Sequence, residues 1–332
     1  MSSLELTSER LQAAGAVFAG RAMATRIVIR LRAGLSGAGA PDGAVGRAME
    51  VFQRVDRACT RFSPDSPLMR ANGSPMRWHR VPETLFSALQ EAKSAYDMTR
   101  GTFDPRVLRS LVALGYDHTL PFGHEKVVAR GPSGPLRPVD GEAWRPRFRS
   151  GPGSTPVRSV VLGRVPLDLG GIGKGLAVRW ASEEMAAGYR SFLVDAGGDC
   201  YCSGDADESG GWRVGVEDPL APREHICVLA LRDRAVATSS VRLRHWVAGK
   251  RRVHHLIDPR TGSPGGRGLL SVTVVGNDPA RAEVWSKALF IGGASAISQE
   301  AEHRSIAALW VSEDGALSMS RAMERYLLWQ RP

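Results

Sequence analysis

Lysine is scarce in this chain: of 44 basic residues only Lys93, Lys126, Lys174, Lys250 and Lys287 are lysines, and arginine supplies the rest. Against 34 acidic residues the net charge is +10. An arginine-biased composition accounts for the excess; the functional alternative is an anionic partner, such as a phosphate-bearing ligand, an acidic protein or nucleic acid. Cysteine is scarcer still, with four residues, Cys59 and Cys227 isolated and Cys200 and Cys202 alternating in an expected strand. That excludes a disulfide framework, and the absence of paired CxxC spacings leaves a zinc site unsupported. No hydrophobic run reaches transmembrane length, and residues 1–20 lack the basic, apolar, small order of a secretory signal. Free thiols in a cytoplasmic protein without a membrane anchor are the expectation. An aromatic-interleaved basic stripe is missing too, so nothing supports nucleic-acid binding. What remains, 43% hydrophobic and 23% charged residues over 332 positions, is ordinary globular composition with room for two domains or one large one.

Residues 24–32 alternate polar and branched apolar side chains, which predicts a half-buried strand. The Gly/Ala-rich stretch 33–43 predicts a loop. Val45, Ala48, Met49, Phe52, Val55 and Ala58 recur at helical spacing, so residues 43–59 predict an amphipathic helix. A second helix is expected from Pro82 and Glu83, with Gly101 beyond its end. Residues 121–156 are thick with Pro, Gly and Arg and read as a long surface insertion. Residues 157–169 look strand-like and run into a glycine-rich turn, after which 176–187 look helical. Short strands are expected at 191–195, 212–216, 226–231, 253–256 and 269–275, with a helix at 279–290. Strands and helices mix without regular alternation, which favours an α+β fold.

The strongest local signal is Leu167-Asp168-Leu169-Gly170-Gly171-Ile172-Gly173-Lys174-Gly175. Glycines let backbone N–H groups approach an oxyanion, and a helix N-terminus with Lys174 at its mouth adds positive charge. The turn suits a phosphate or pyrophosphate, yet it lacks the Ser or Thr of a Walker A loop, and no Rossmann fingerprint is present. A second pair, Gly197-Gly198, lies between two strand segments and reads either as a tight turn or as a close approach to a ligand. In His254-His255-Leu256-Ile257-Asp258-Pro259-Arg260-Thr261-Gly262, strand alternation puts His255 with Ile257 on one face and His254 with Asp258 on the other.

Taken in order, these pieces resemble the ApbE family, the FAD:protein FMN transferases. Met23-Ala24-Thr25, Arg61-Phe62-Ser63-Pro64-Asp65-Ser66 with Asn72, and Gly101-Thr102-Phe103-Asp104-Pro105 are similar to its early segments. The Asp168–Gly175 turn, Gly197-Gly198-Asp199, Thr238-Ser239 and His255 through Gly262 continue the series to about Gly293. The resemblance implies an α+β flavin-binding domain over residues 21–330, after an extension at 1–20 and with the insertion at about 121–156. It implies an enzyme that splits the FAD pyrophosphate with Mg2+ and passes FMN to a Thr or Ser of an acceptor protein. Met23, Phe62 and the Gly101, Thr102, Phe103, Asp104 turn would line the flavin. Asp168, Gly170, Gly171 and Lys174 would hold the ribityl and pyrophosphate part, with Gly197, Gly198 and Thr238 alongside, and His255 near the reacting phosphate. Short of transfer, the same residues would serve a flavin carrier, a redox flavoprotein or an FAD pyrophosphatase.

One segment departs from the family. Its metal site uses the carbonyl at Gly173 and an Asp and a Thr four residues apart on the late helix; here those two are Glu283 and Lys287. Glutamate still offers oxygen, but a protonated lysine cannot ligate a hard cation. At i and i+4 the two are placed to form an ion pair. Either Lys287 replaces the ion beside the phosphates or the metal site is simply lost.

Overall fold

The computed structural model describes residues 7–11, 15–32, 42–119, 128–129, 141–153, 156–207, 210–221 and 223–331. Its spine is a nine-stranded antiparallel sheet whose strands pair in chain order: Thr7–Leu11, Gly15–Ala22, Thr25–Leu31, Phe192–Ala196, Asp199–Ser203, Arg234–Ser240, Leu269–Gly276, Ala307–Ser312 and Leu317–Met319. Residues 15–20, expected in an N-terminal extension, therefore lie in a sheet strand.

Period-two alternation sorts the strand side chains onto two faces. Ile27, Ile29, Val194 and Ala196 face a layer of helices, and Ala235, Ala237, Val272 and Val274 continue that face. Leu193, Cys200, Cys202, Val236 and Val275 face the other way, onto a three-stranded sheet of Trp212–Glu217, His225–Leu231 and Leu327–Gln330. Helices thus cover one side of the sheet and strands the other, an α+β architecture as expected.

The helical layer comes from two departures of the chain from the sheet. Between Leu31 and Phe192 it forms the helices Asp42–Cys59, Pro67–Gly73, Glu83–Met98 and Gly173–Ala186. In the first, Val45, Ala48, Met49, Phe52 and Val55 are buried at the spacing read from the sequence, and each large apolar side chain contributes about 1.5–3 kcal/mol. Beyond Gly276 the helix Pro279–Gly292 starts at an Asp278 cap, whose carboxylate accepts the Arg281 N–H at 2.8 Å, and returns across the sheet toward Ala307–Ser312.

Three elements differ from expectation. The strand-like stretch 157–169 ends at Val161, because Pro75 and Asn72 take the backbone groups of Leu162, Gly163 and Leu167 away from a strand partner. The helix expected from residue 176 starts at Gly173, so Lys174 lies inside its first turn. The strand expected at 253–256 is Arg251–His254, paired with His245–Ala248, so His255 lies just past it and the alternation with Ile257 does not apply. Strands Arg234–Ser240 and Ala307–Ser312 and helices Pro67–Gly73 and Ala294–His303 carried no sequence expectation. Of the Pro/Gly/Arg-rich stretch, residues 121–127, 130–140 and 154–155 lie outside the described residues, as do 33–41 of the expected loop. Residues 141–153 carry the strand Arg147–Ser150, which pairs with Arg158–Val161, and Trp144, whose indole N–H donates to the Leu162 carbonyl at 2.8 Å.

Helices Gly173–Ala186 and Pro279–Gly292 cross at Gly175, where an added Cβ would stand 2.6 Å from the Pro279 carbonyl oxygen and 2.7 Å from Ala280 Cα. Backbone meets backbone there, so neither side can yield. Gly175→Ala is expected to cost about 1–3 kcal/mol in denaturant unfolding. Gly188→Ala, whose Cβ would meet only Ala44 at 3.7 Å, is expected to stay within about 1 kcal/mol of the parent.

Candidate functional site

The glycine turn is held from both sides before it reaches the helix. Asn72 clamps Leu167, donating from Nδ2 to its carbonyl and accepting its N–H at Oδ1, each at 2.8 Å. Asp168 N–H donates to the Pro105 carbonyl at 2.7 Å, and the Leu169 carbonyl accepts the N–H groups of Ile172 and Gly173. The absent side chains leave room for neighbours: a Cβ on Gly171 would meet Phe103 at 3.0 Å and the Lys287 stem at 3.5 Å, and one on Gly173 would meet Met23 at 3.4 Å. Met23 itself sits at φ 52°, its N–H donating to Asp56. The turn, Met23, Phe103 and Lys287 are therefore neighbours.

At the mouth of the helix lies a cluster of two ammonium groups and two carboxylates. Lys174 Nζ bonds Asp199 Oδ2 and stands 4.0 Å from Glu283 Oε1, while Lys287 Nζ lies 3.0 Å from the same Oε1. Glu283 Oε2 accepts the Gly175 N–H at 2.7 Å. Asp199 also accepts the Thr238 N–H at 3.1 Å, and Thr238 Oγ1 meets Thr273 Oγ1 at 2.9 Å, which fixes the cluster to the sheet. Burial opposes the charge on Lys174, but Asp199 and Glu283 outweigh it and hold the ammonium above the ordinary lysine value. Burial likewise works to raise Glu283, and Lys287, Lys174 and the Gly175 N–H bring it below the ordinary carboxylate value. Lys174 and Glu283 therefore stay ionised at neutral pH.

Desolvation, then the cations Arg244 and Lys287, drive His255 well below the ordinary histidine value, so its ring is neutral. Its Nδ1 faces the Arg244 carbonyl at 3.3 Å and must carry the hydrogen, which leaves the Nε2 lone pair to accept a proton. On the other flank Arg61 Nε lies 3.4 Å from Asp168 Oδ1, with its guanidinium 4.2 Å from the ring centres of both Phe62 and Tyr116. Phe62 keeps 40% of its surface exposed, and Arg61 Nη2 is buried without a hydrogen-bond partner. An open ring beside an unsatisfied donor suits a ligand that is planar at one end and rich in acceptors.

Other expected residues are engaged within the fold. Gly197 and Gly198, at φ 67° and 95°, form the two-residue turn of a hairpin and give their N–H groups to Asp195 at 3.2 Å each. Asp104 directs its carboxylate to Arg106, Gly101 sits at φ 80° under the Tyr96 ring, and Thr102 N–H donates to the Thr99 carbonyl. Sequence reading did not single out Arg244 or Tyr116, nor assign roles to Arg61 and Asp199. The last two adjoin called residues, which was the available signal.

The donors at Glu283 do not fit a divalent cation. One carboxylate oxygen faces two ammonium groups and the other takes a backbone N–H. At an effective dielectric of about 20, a dication about 4 Å from one ammonium is repelled by about 8 kcal/mol. Among the described residues no group of three or more His, Cys, Asp or Glu side chains is placed to hold a metal.

Known proteins share this arrangement's frame. The family model described as ApbE family matches residues 23–310. An FAD:protein FMN transferase from Rhodobacter capsulatus is 28% identical over 299 residues, 87% of this chain, which spans 55% of that relative's length. One from Klebsiella pneumoniae (strain 342) is 24% identical over 281 residues, 82% of this chain and 84% of the relative. The crystal structure of the ApbE protein from Thermotoga maritima superposes with a TM-score of 0.74 at 25% identity, covering 99% of this chain and 100% of that one. The flavinyl transferase ApbE from Pseudomonas stutzeri, in its apo form, gives 0.75 at 23% identity with both chains fully covered. With the family match running from Met23 past the glycine turn, His255 and Lys287, the chain belongs to the ApbE family.

Proposed function

We propose that this chain is an FAD:protein FMN transferase. It binds FAD, cleaves its pyrophosphate and joins the FMN half through a phosphoester to a Thr or Ser hydroxyl of an acceptor protein. The observation that carries this reading is the convergence of the glycine turn and the Lys174–Glu283–Lys287 cluster, with a neutral His255 within electrostatic reach of Lys287 and Asp168 of the turn reaching Arg61 beside the open ring of Phe62.

Phosphoryl transfer asks a protein mainly to position the reactants and neutralise charge. The acceptor oxygen bonds to the phosphorus on the FMN side. The bond from that phosphorus to the bridging oxygen breaks, and AMP leaves with the electron pair. His255 Nε2 takes the hydroxyl proton. Asp168, Gly170, Gly171 and Lys174 hold the ribityl and pyrophosphate part, and Phe62, Met23 and Phe103 line the flavin.

The family resemblance implies Mg2+, but the residues at Glu283 disfavour it, and none of these roles depends on it. The net charge of +10 suits an acceptor with an acidic surface. Cys59, Cys200, Cys202 and Cys227 are all buried and unpaired, which supports a reducing cytoplasmic location. Among the described residues no helix is long and apolar enough to cross a membrane.

Incubated with FAD and a Thr-containing acceptor, the purified protein is expected to release AMP and leave a band of flavin fluorescence on the acceptor in a gel. AMP with free FMN would make it a pyrophosphatase, and bound FAD with neither product a carrier or redox flavoprotein. Because His255 is held neutral, single-turnover transfer is expected to show no decline through about pH 6.5, the ordinary histidine value, and to fall only at lower pH. A titration centred near that value would remove His255 as the base.

A further inference from the structure

We propose that the Lys287 ammonium does in this chain what a divalent cation would do, and that the transfer runs without metal. The inference rests on the transferase reading and adds a catalytic residue to it. Lys287 is delivered by the helix Pro279–Gly292, one turn beyond Glu283, and only 13% of its side chain is exposed. Its stem crosses the open face of Gly171, so the charged end arrives at the glycine turn rather than in solvent.

Glu283 sets the position of that charge. Its Oε1 holds Lys287 at 3.0 Å with Lys174 at 4.0 Å, and its Oε2 is bound to the Gly175 N–H, so a cation at this carboxylate would have to displace or adjoin an ammonium. The two ammonium groups stand side by side where the first turn of Gly173–Ala186 adds its own partial positive charge. Arg244 lies close enough to act electrostatically on Lys174 and His255, and no carboxylate pairs with it among the described residues. Asp195 lies within the same electrostatic reach of Lys174, so Lys174, Lys287 and Arg244 are offset by Asp199, Glu283 and Asp195, and what the cluster presents to a phosphate is directed donors rather than a net charge. Each ammonium also offers three directed donors.

In the step itself Lys287 stays protonated. Its N–H groups donate to pyrophosphate oxygens as the acceptor oxygen bonds to the FMN-side phosphorus and the bridging bond breaks. The electron pair goes to AMP and the hydroxyl proton to His255. No co-reactant is needed.

The test uses the full chain, freed of metal with a chelator and checked by elemental analysis. FAD affinity and single-turnover AMP release are measured with EDTA and with added Mg2+. The two conditions are expected to agree within about twofold, and Lys287→Thr is expected to slow AMP release on the order of a hundredfold, the usual cost of losing one donor to a developing charge. A rate in EDTA that falls more than about tenfold and returns with Mg2+ overturns the proposal, as does Lys287→Thr keeping the parental rate. If neither condition releases AMP, the transferase reading fails and FAD affinity decides the lysine separately. Affinity indifferent to Mg2+ and weakened about tenfold in Lys287→Thr supports it, and affinity that needs Mg2+ overturns it.

Discussion

One buried carboxylate organises the site. Glu283 is 1% exposed at its side chain, and its two oxygens engage Lys287, Lys174 and the Gly175 N–H. Those contacts join the helices Gly173–Ala186 and Pro279–Gly292 just where the absent side chain of Gly175 lets their backbones meet. The arrangement is cooperative in the electrostatic sense: both ammonium groups favour the ionised carboxylate, and the carboxylate, with Asp199, holds Lys174 charged in a desolvated place. Removing the carboxylate would leave two buried cations facing each other, and breaking a buried pair costs about 3–5 kcal/mol.

The rest of the architecture delivers groups to that point. The helical layer brings Lys174 and Lys287 from two helices that are distant in sequence. The sheet contributes Asp199 and Thr238 from neighbouring strands. Asn72 and Pro105 fix the approach to the glycine turn, so that Asp168 meets Arg61, and Arg61 in turn stacks with Phe62 and Tyr116. A continuous chain of contacts runs from an exposed aromatic ring to a charged cluster, which matches a ligand with a flat ring at one end and phosphates further along.

Much of this was legible in the sequence where the signal is local. The helix Asp42–Cys59 shows its buried stripe directly, and the Leu167-to-Gly175 turn shows its glycines and lysine. Glu283 and Lys287 advertise their pairing through i,i+4 spacing. What stayed hidden depends on partners far apart in the chain. Asn72 meets Leu167 across 95 positions, and Gly175 meets Glu283 across 108. Gly197 and Gly198 read as well for a ligand approach as for a hairpin turn until Asp195 is seen taking their N–H groups. The strand boundary at His254 was missed because pattern alone cannot tell the last paired residue from the first unpaired one.

In the proposed transfer an ammonium, not a metal ion, faces the pyrophosphate. A crystal structure of the FAD complex grown with Mn2+, with anomalous data collected at the manganese edge, addresses it directly. The expected result is Lys287 Nζ about 3 Å from a pyrophosphate oxygen, Glu283 still bound to Gly175, and no anomalous peak at the site. A manganese ion bound between Glu283 and the Gly173 carbonyl, with Lys287 turned away, would contradict it.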